Sequence, residues 1–131
     1  MKGAKSHGLS AYGGLSFLCK DMTFTQCGDY GVFANDTKGR LINCVITQCG
    51  YSGIFCVANA LIELEGDQTK VDGNGTSGDG DGFGLCAYDT SSIIHLLFPL
   101  TKESVSTNNQ GGGNYGGGGT IETVESLERL L

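Results

Sequence analysis

The sequence predicts an all-β fold, a single-stranded parallel β-helix of about four coils with a short C-terminal helical cap. Three observations carry that expectation. Lys20-Asp21-Met22-Thr23-Phe24-Thr25-Gln26-Cys27-Gly28 returns as Ile42-Asn43-Cys44-Val45-Ile46-Thr47-Gln48-Cys49-Gly50, and Gly31-Val32-Phe33-Ala34 returns at the same offset as Gly53-Ile54-Phe55-Cys56. Self-similarity at a fixed period of this length marks a stacked repeat. Each unit is built from short β-branched and aromatic runs cut by glycine, so its apolar face must be covered by its neighbours. Finally, 23 glycines and one proline are too glycine-rich for an ordinary helical or sandwich domain and too proline-poor for collagen.

In chain order, residues 1–7 read as a flexible or partner-bound lead-in, residues 8–121 as coils and residues 122–131 as the cap, all one domain. The first coil, Gly8 to Tyr30, points Cys19, Met22, Phe24 and Cys27 inward. The second, Gly31 to Ser52, buries Val32, Ala34, Leu41, Cys44, Ile46 and Cys49, and sets Phe33 and Phe55 outward in one stack. In the third, Ile62 and Leu64 alternate with Glu63 and Glu65, the pattern of a half-buried strand. A fourth coil starts at Phe83 and carries Leu85, Ala87, Ile94, Leu96 and Phe98 until Pro99 interrupts it. Val71-Asp72-Gly73-Asn74 and Val105-Ser106-Thr107-Asn108 keep the spacing of Phe24 to Cys27 and Ile46 to Cys49. Cys27, Cys49, Asn74 and Asn108 are therefore expected in one internal column. Val124, Leu127 and Leu130 or Leu131 share a helical face that could cover the last coil.

The Gly31-Val32 opening, the run Leu41-x-Asn43-Cys44-x-Ile46-x-x-Cys49 and the Gly50 that follows resemble the parallel β-helix repeat. That repeat is shared by pectate-lyase-like enzymes, phage tailspikes and a carbohydrate-binding and sugar-hydrolase module of many larger proteins. The resemblance covers residues 8–121 and is closest in the first two coils. It implies a right-handed solenoid. Family members usually carry asparagine where this chain has Cys44 and Cys49; Asn74 and Asn108 restore it. The family's hydrolase motifs, an aspartate pair and a Gly-His-Gly turn, are missing. The repeat specifies a fold and says little about chemistry.

Three groups of residues could carry chemistry. Asp72, Asn74, Asp79 and Asp81 offer hard oxygen ligands on a glycine-rich loop, and calcium takes six to eight such oxygens. Asp72, Asp79 and Asp81 are the candidate calcium ligands, against a plain solvated turn. Phe33, Phe55 and Tyr88 are candidate sugar platforms, against rings that shield one another. Glu63 and Glu65 share an outer strand face and form a carboxylate pair of the kind glycan cleavage uses, against ordinary solvated charges. No catalytic residue is assigned, and the reading leans away from an enzyme.

The net charge of −6 disfavours nucleic acid, and no run of 18 apolar residues provides a membrane span. Six cysteines without a Cys-x-x-Cys pair read as small buried hydrophobes, reduced rather than bridged. Together with an N-terminus lacking a signal-peptide core, they suggest an intracellular protein or a piece of a longer chain. The expected role is a non-catalytic module for structural assembly or protein–protein interaction. It would dock through its N-terminal coil onto a partner or a second copy. Carbohydrate binding is the alternative, and a polysaccharide lyase or hydrolase fragment the third reading.

Overall fold

The structure, a computed structural model, describes residues 2–78, 80 and 82–125. Its strands are β1 (Leu9–Tyr12), β2 (Ser16–Lys20), β3 (Thr23–Thr25), β4 (Val32–Asn35), β5 (Lys38–Ile42), β6 (Val45–Thr47) and β7 (Ile54–Val57). There follow β8 (Leu61–Glu65), β9 (Lys70–Asp72), β10 (Phe83–Ala87) and β11 (Ile93–Leu97). A single-turn helix α1 (Lys102–Val105) then precedes β12 (Ser106–Thr107), β13 (Gly113–Gly116) and β14 (Thr120–Val124). Every strand pairs in parallel with its counterpart one turn away. The three sheets run β1-β4-β7-β10-β13, β2-β5-β8-β11-β14 and β3-β6-β9-β12. This is an all-β parallel solenoid of about five turns, one more than the four expected, because the glycine-rich stretch after Asn109 supplies β13 instead of a loop.

The core follows from register. Side chains alternate along each strand, so residues paired across turns form inward columns. Val32, Ile54 and Leu85 make one, Leu41, Leu64 and Leu96 a second, and Phe24, Ile46 and Val71 a third. All nine are buried. Two strands begin or turn at glycine for steric reasons. Gly39 lies beneath the Phe17 ring, and a Cβ at Gly31 would strike the Ile46 side chain. The corners use left-handed backbone at matching places: Gln26, Gln48, Gly73 and Asn108 have φ of 56°, 58°, 70° and 55°. One corner thus repeats the same turn four times.

The internal column holds Cys27, Cys49 and Asn74, all buried, but its fourth member is Asn109 rather than Asn108. Ser106, not Val105, pairs with Val71, which moves the frame by one residue. Val105 ends α1, where Thr101 and Ser104 form a reciprocal N-terminal cap. Asn108 is exposed at the left-handed position, which asparagine adopts at lower cost than most residues. Asn74 and Asn109 each reach back one turn. The Asn74 amide nitrogen donates to Ile46 O at 3.1 Å, and its oxygen accepts from the Cys49 N–H at 3.0 Å. Asn109 repeats this, donating to Val71 O at 3.1 Å and accepting from the Asn74 N–H at 2.9 Å.

Three further expectations change. Met22 is 40% exposed, because it sits between the strands at a corner of the first turn. Residues 2–7 are paired, not loose: Lys2 bridges Thr25, Gly3 N–H donates to Thr25 O, and Gly28 N–H donates to Ala4 O at 2.7 Å. They form a partial turn beneath β3. Glu122 to Val124 lie in β14 rather than in a helical cap, paired with His95 to Leu97. The remainder of that cap, Leu127, Leu130 and Leu131 included, lies outside the described residues.

Candidate functional site

The most developed surface feature is a wall of aromatic rings on the outer face of the first sheet. Phe33 on β4 and Phe55 on β7 are direct register partners, with ring centroids 5.5 Å apart and planes within 7°. Below them the register partner is Ser10, too small to continue the stack. His7 from the lead-in fills that gap, stacked on Phe33 at 4.8 Å and 6°. Above, the partner is Cys86, whose small buried side chain leaves room for Tyr88, 5.5 Å from Phe55 and tilted by 39°. Tyr30 packs on Phe55 at 4.5 Å and on Phe33 at 5.6 Å, Tyr51 lies against Tyr30, and Tyr12 against Phe33.

The three rings singled out from sequence are thus brought together, but in unequal roles. Phe33 and Phe55 spend their faces on each other, His7 and Tyr30, and are only half-exposed. Tyr88 and Tyr12, 60% and 54% exposed, are the rings with surface to offer. The sequence reading missed Tyr12, Tyr30, Tyr51 and His7. The signal for Tyr30 was present, since it immediately precedes Gly31 at the start of the repeat.

A second feature lies on the outer face of the third sheet. The outward column there is Thr25, Thr47, Asp72 and Thr107, flanked by Gln26 and Gln48, whose amides meet at 3.4 Å. Of these Thr47, Asp72, Gln26 and Gln48, with Gly50, Thr76, Ser77 and Gln110, border an open groove of about 780 Å³. Its lining mixes hydroxyl, amide and carboxylate side chains with glycine backbone.

Asp72, the one described member of the proposed calcium set, is engaged within the fold. Its Oδ1 accepts from Thr107 Oγ1 at 2.7 Å and from Asn108 Nδ2 at 3.0 Å. Asp79 and Asp81 lie outside the described residues. Among the described residues, no three histidine, cysteine, aspartate or glutamate side chains cluster as a metal site. Asn74, also on that loop, is fully buried in the internal column and points away from the loop surface.

The carboxylate pair is likewise claimed. Arg40 donates from Nε and Nη2 to Glu63 at 3.1 and 2.9 Å, and its Nη1 lies 3.9 Å from Glu65. Both carboxylates are thus engaged by the same guanidinium, Glu63 through two hydrogen bonds. His95 sits in register between Glu63 and Glu122 on the same outer column. All six cysteines are described, and no disulfide joins any two of them. Burial pushes the Cys49 thiol up to about 12, and burial likewise raises Cys56 and, with the neighbouring Cys44, Cys19. Thiols so raised are poor nucleophiles at neutral pH.

Among the described residues no helix is long and apolar enough to cross a membrane. No family model, no curated protein and no solved structure matches the chain. The architecture therefore rests on the register of its own repeat: a parallel β-solenoid of about five turns.

Proposed function

We propose that the chain is a non-catalytic β-solenoid module for structural assembly or protein–protein interaction, docking through its N-terminal coil. The kinship with pectate-lyase-like β-helices belongs to the same proposal, and its support is the repeat alone. The observation that carries the assembly reading is the state of the first turn. Among the described residues β1 pairs only with β4, and β2 only with β5, so each presents a strand edge. Beside those edges Leu15 is 77% exposed and Leu18 64%, while the inward-facing Leu9, Phe17 and Cys19 remain half-exposed. An open rung with apolar flanks is a template for pairing with another chain. Covering Leu15 and Leu18 alone would contribute about 1.5–3 kcal/mol each.

Sedimentation velocity of the purified chain, alone and with a lysate fraction retained on the immobilised chain, tests this reading. The expected result is a dimer, a larger assembly or a defined complex, reduced by Leu15→Lys. A monomer in every condition, with β1 and β2 amides slow to exchange, would overturn it. Carbohydrate binding is kept as a second reading because Tyr88 and Tyr12 present exposed rings at either end of the aromatic wall. A glycan array read with wild type and a Tyr12→Ala, Tyr88→Ala variant decides it. Binding lost in the variant supports that reading, and equal signals from both proteins remove it.

A further inference from the structure

We infer that Asn74 is a site of covalent modification gated by the fold. Its side-chain amide is locked in the native solenoid and is lost by deamidation when the chain stays unfolded, after which the solenoid cannot reform. The inference is independent of what the solenoid binds.

Stacking imposes a chemically labile pair on the third turn. Cys27, Cys49 and Asn74 stand one above another in the internal column, and each is followed by glycine. Those glycines are steric requirements. A Cβ at Gly28 would strike Lys5 O, one at Gly50 would strike Gly28 O, and one at Gly75 would strike Gln110 O. Gly75 also has a φ of 79°. Cysteine has no amide to lose, so the first two turns are inert in this respect. One turn further on, Asn109 is followed by Gln110. Only the third turn joins a ladder asparagine to a required glycine, and Asn74-Gly75 is the one Asn-Gly pair in the sequence.

In an unfolded chain the Gly75 nitrogen gives up its proton to hydroxide and attacks Asn74 Cγ. The Cγ–Nδ2 bond breaks, ammonia leaves with a proton from water, and a five-membered imide closes. Water then opens the imide at either carbonyl. One opening leaves aspartate, the other isoaspartate, whose main chain runs through the former side-chain carbon. The net change is amide plus water to carboxylic acid plus ammonia, with nothing oxidised. Glycine favours this route because no side chain hinders the attacking nitrogen.

The fold blocks each part of it. The Gly75 N–H donates to Cys49 O at 2.9 Å and to Tyr51 O at 2.8 Å. Asn74 Nδ2 donates to Ile46 O and Asn109 Oδ1, and Asn74 Oδ1 accepts from the Cys49 N–H. Burial of Asn74 keeps hydroxide and water from the amide. The product does not fit back. Aspartate would set an oxygen against two acceptors, Ile46 O and Asn109 Oδ1, and even when protonated it has one hydrogen for the pair. Asn109 cannot turn over to help, because its Oδ1 holds the Asn74 N–H and its Nδ2 holds Val71 O. Isoaspartate adds a carbon to the main chain inside the turn and displaces everything after it from register. Prolonged unfolding therefore becomes irreversible through this one residue.

The test incubates the whole chain at pH 8 for matched times, native in one arm and held unfolded in guanidinium chloride in the other, with a thiol reductant in both. Peptide mass mapping follows Asn74. Its loss should be at least about tenfold slower in the native arm, because reaction there needs the turn to open first. The partly deamidated chain is then diluted out of denaturant, and the refolded and unrefolded fractions are separated by size and mapped. The refolded pool should retain asparagine at position 74, with aspartate and isoaspartate left in the unrefolded pool. Equal rates in the two arms, or an unfolded arm that does not lose Asn74, would overturn the gating. A refolded pool carrying the modified residue in the same proportion as the whole sample would overturn the claim that the product cannot be accommodated.

Discussion

Asn74 should be the most costly single side chain to remove from this fold. Its side chain is fully buried and occupies three polar partners in the turns on either side. Truncation by Asn74→Ala orphans the Cys49 N–H and the Ile46 carbonyl, which it bonds at 3.0 and 3.1 Å. The third partner, Asn109 Oδ1, keeps the Asn74 backbone N–H at 2.9 Å and so loses less. Each buried backbone group left unsatisfied costs about 1–3 kcal/mol, giving about 2–6 kcal/mol in all. That is a large share of the stability of a domain this size, ordinarily about 5–15 kcal/mol. Cys49→Ala, one turn away in the same column, is the control. Its thiol lies 3.7 Å from Thr47 O and mainly fills space, so about 1–2 kcal/mol is expected. Urea unfolding followed by circular dichroism measures both, read as a midpoint shift at unchanged m-value. If Asn74→Ala costs no more than Cys49→Ala, the asparagine is packing like the cysteines, and the backbone-satisfaction argument is wrong.

Three further outcomes follow from the same coordinates. The native protein should react slowly with a thiol reagent at pH 8, Cys49 and Cys56 last because burial raises both, and unfolding should release six thiols; a native burst at either position would contradict their burial. Asp89 accepts from Ser92 at 2.6 Å, from the Ala58 N–H and from Ser91, and these bonds hold its carboxyl below the ordinary value. A depressed carboxyl stabilises the fold above its unfolded value near pH 4, and that contribution is lost as pH falls through the lower folded value. Asp89→Asn should therefore be less stable than wild type at pH 6 and converge on it in acid; a constant gap across that window would remove the titration. Calcium should bind weakly or not at all in calorimetry, because Asp72 is already held by Thr107 and Asn108. Heats that vanish in an Asp79→Asn, Asp81→Asn variant would instead assign the loop to the metal.

Much of the fold is legible in the sequence because the repeat places chemically equal residues at equal steps. Phe24 with Ile46, Cys27 with Cys49 and Phe33 with Phe55 are each one turn apart, and all three pairs stack in the structure. Legibility fails where the period is broken. The α1 turn inserts residues ahead of β12, so Val105, itself buried in the core, stands one residue before the register position that Ser106 holds, and the asparagine ladder shifts to Asn109. Ser106 can serve there because its hydroxyl bonds Asn114 O at 2.5 Å and receives Asn109 Nδ2 at 2.9 Å. Gly113 to Gly116 carry almost no apolar pattern, yet they form β13, since a strand at the end of a stack can be specified by its neighbour's backbone. Outward phase located Phe33 and Phe55, but periodicity in the coils could not reveal that His7 from outside the repeat would continue their stack. Asp72 looked available for a ligand because sequence spacing does not show that Thr107 sits one turn above it.

The most direct test of the account is hydrogen exchange along β1 and β2 measured across a concentration series. If the first turn is the docking face, the edge amides of Leu9 to Tyr12 and Ser16 to Lys20 should exchange fast in dilute protein and slow as concentration rises. The central amides of β7 and β8, paired on both sides, should stay protected throughout. Edge amides whose protection does not change with concentration or with an added partner would contradict the claim that this end of the solenoid is where the molecule binds.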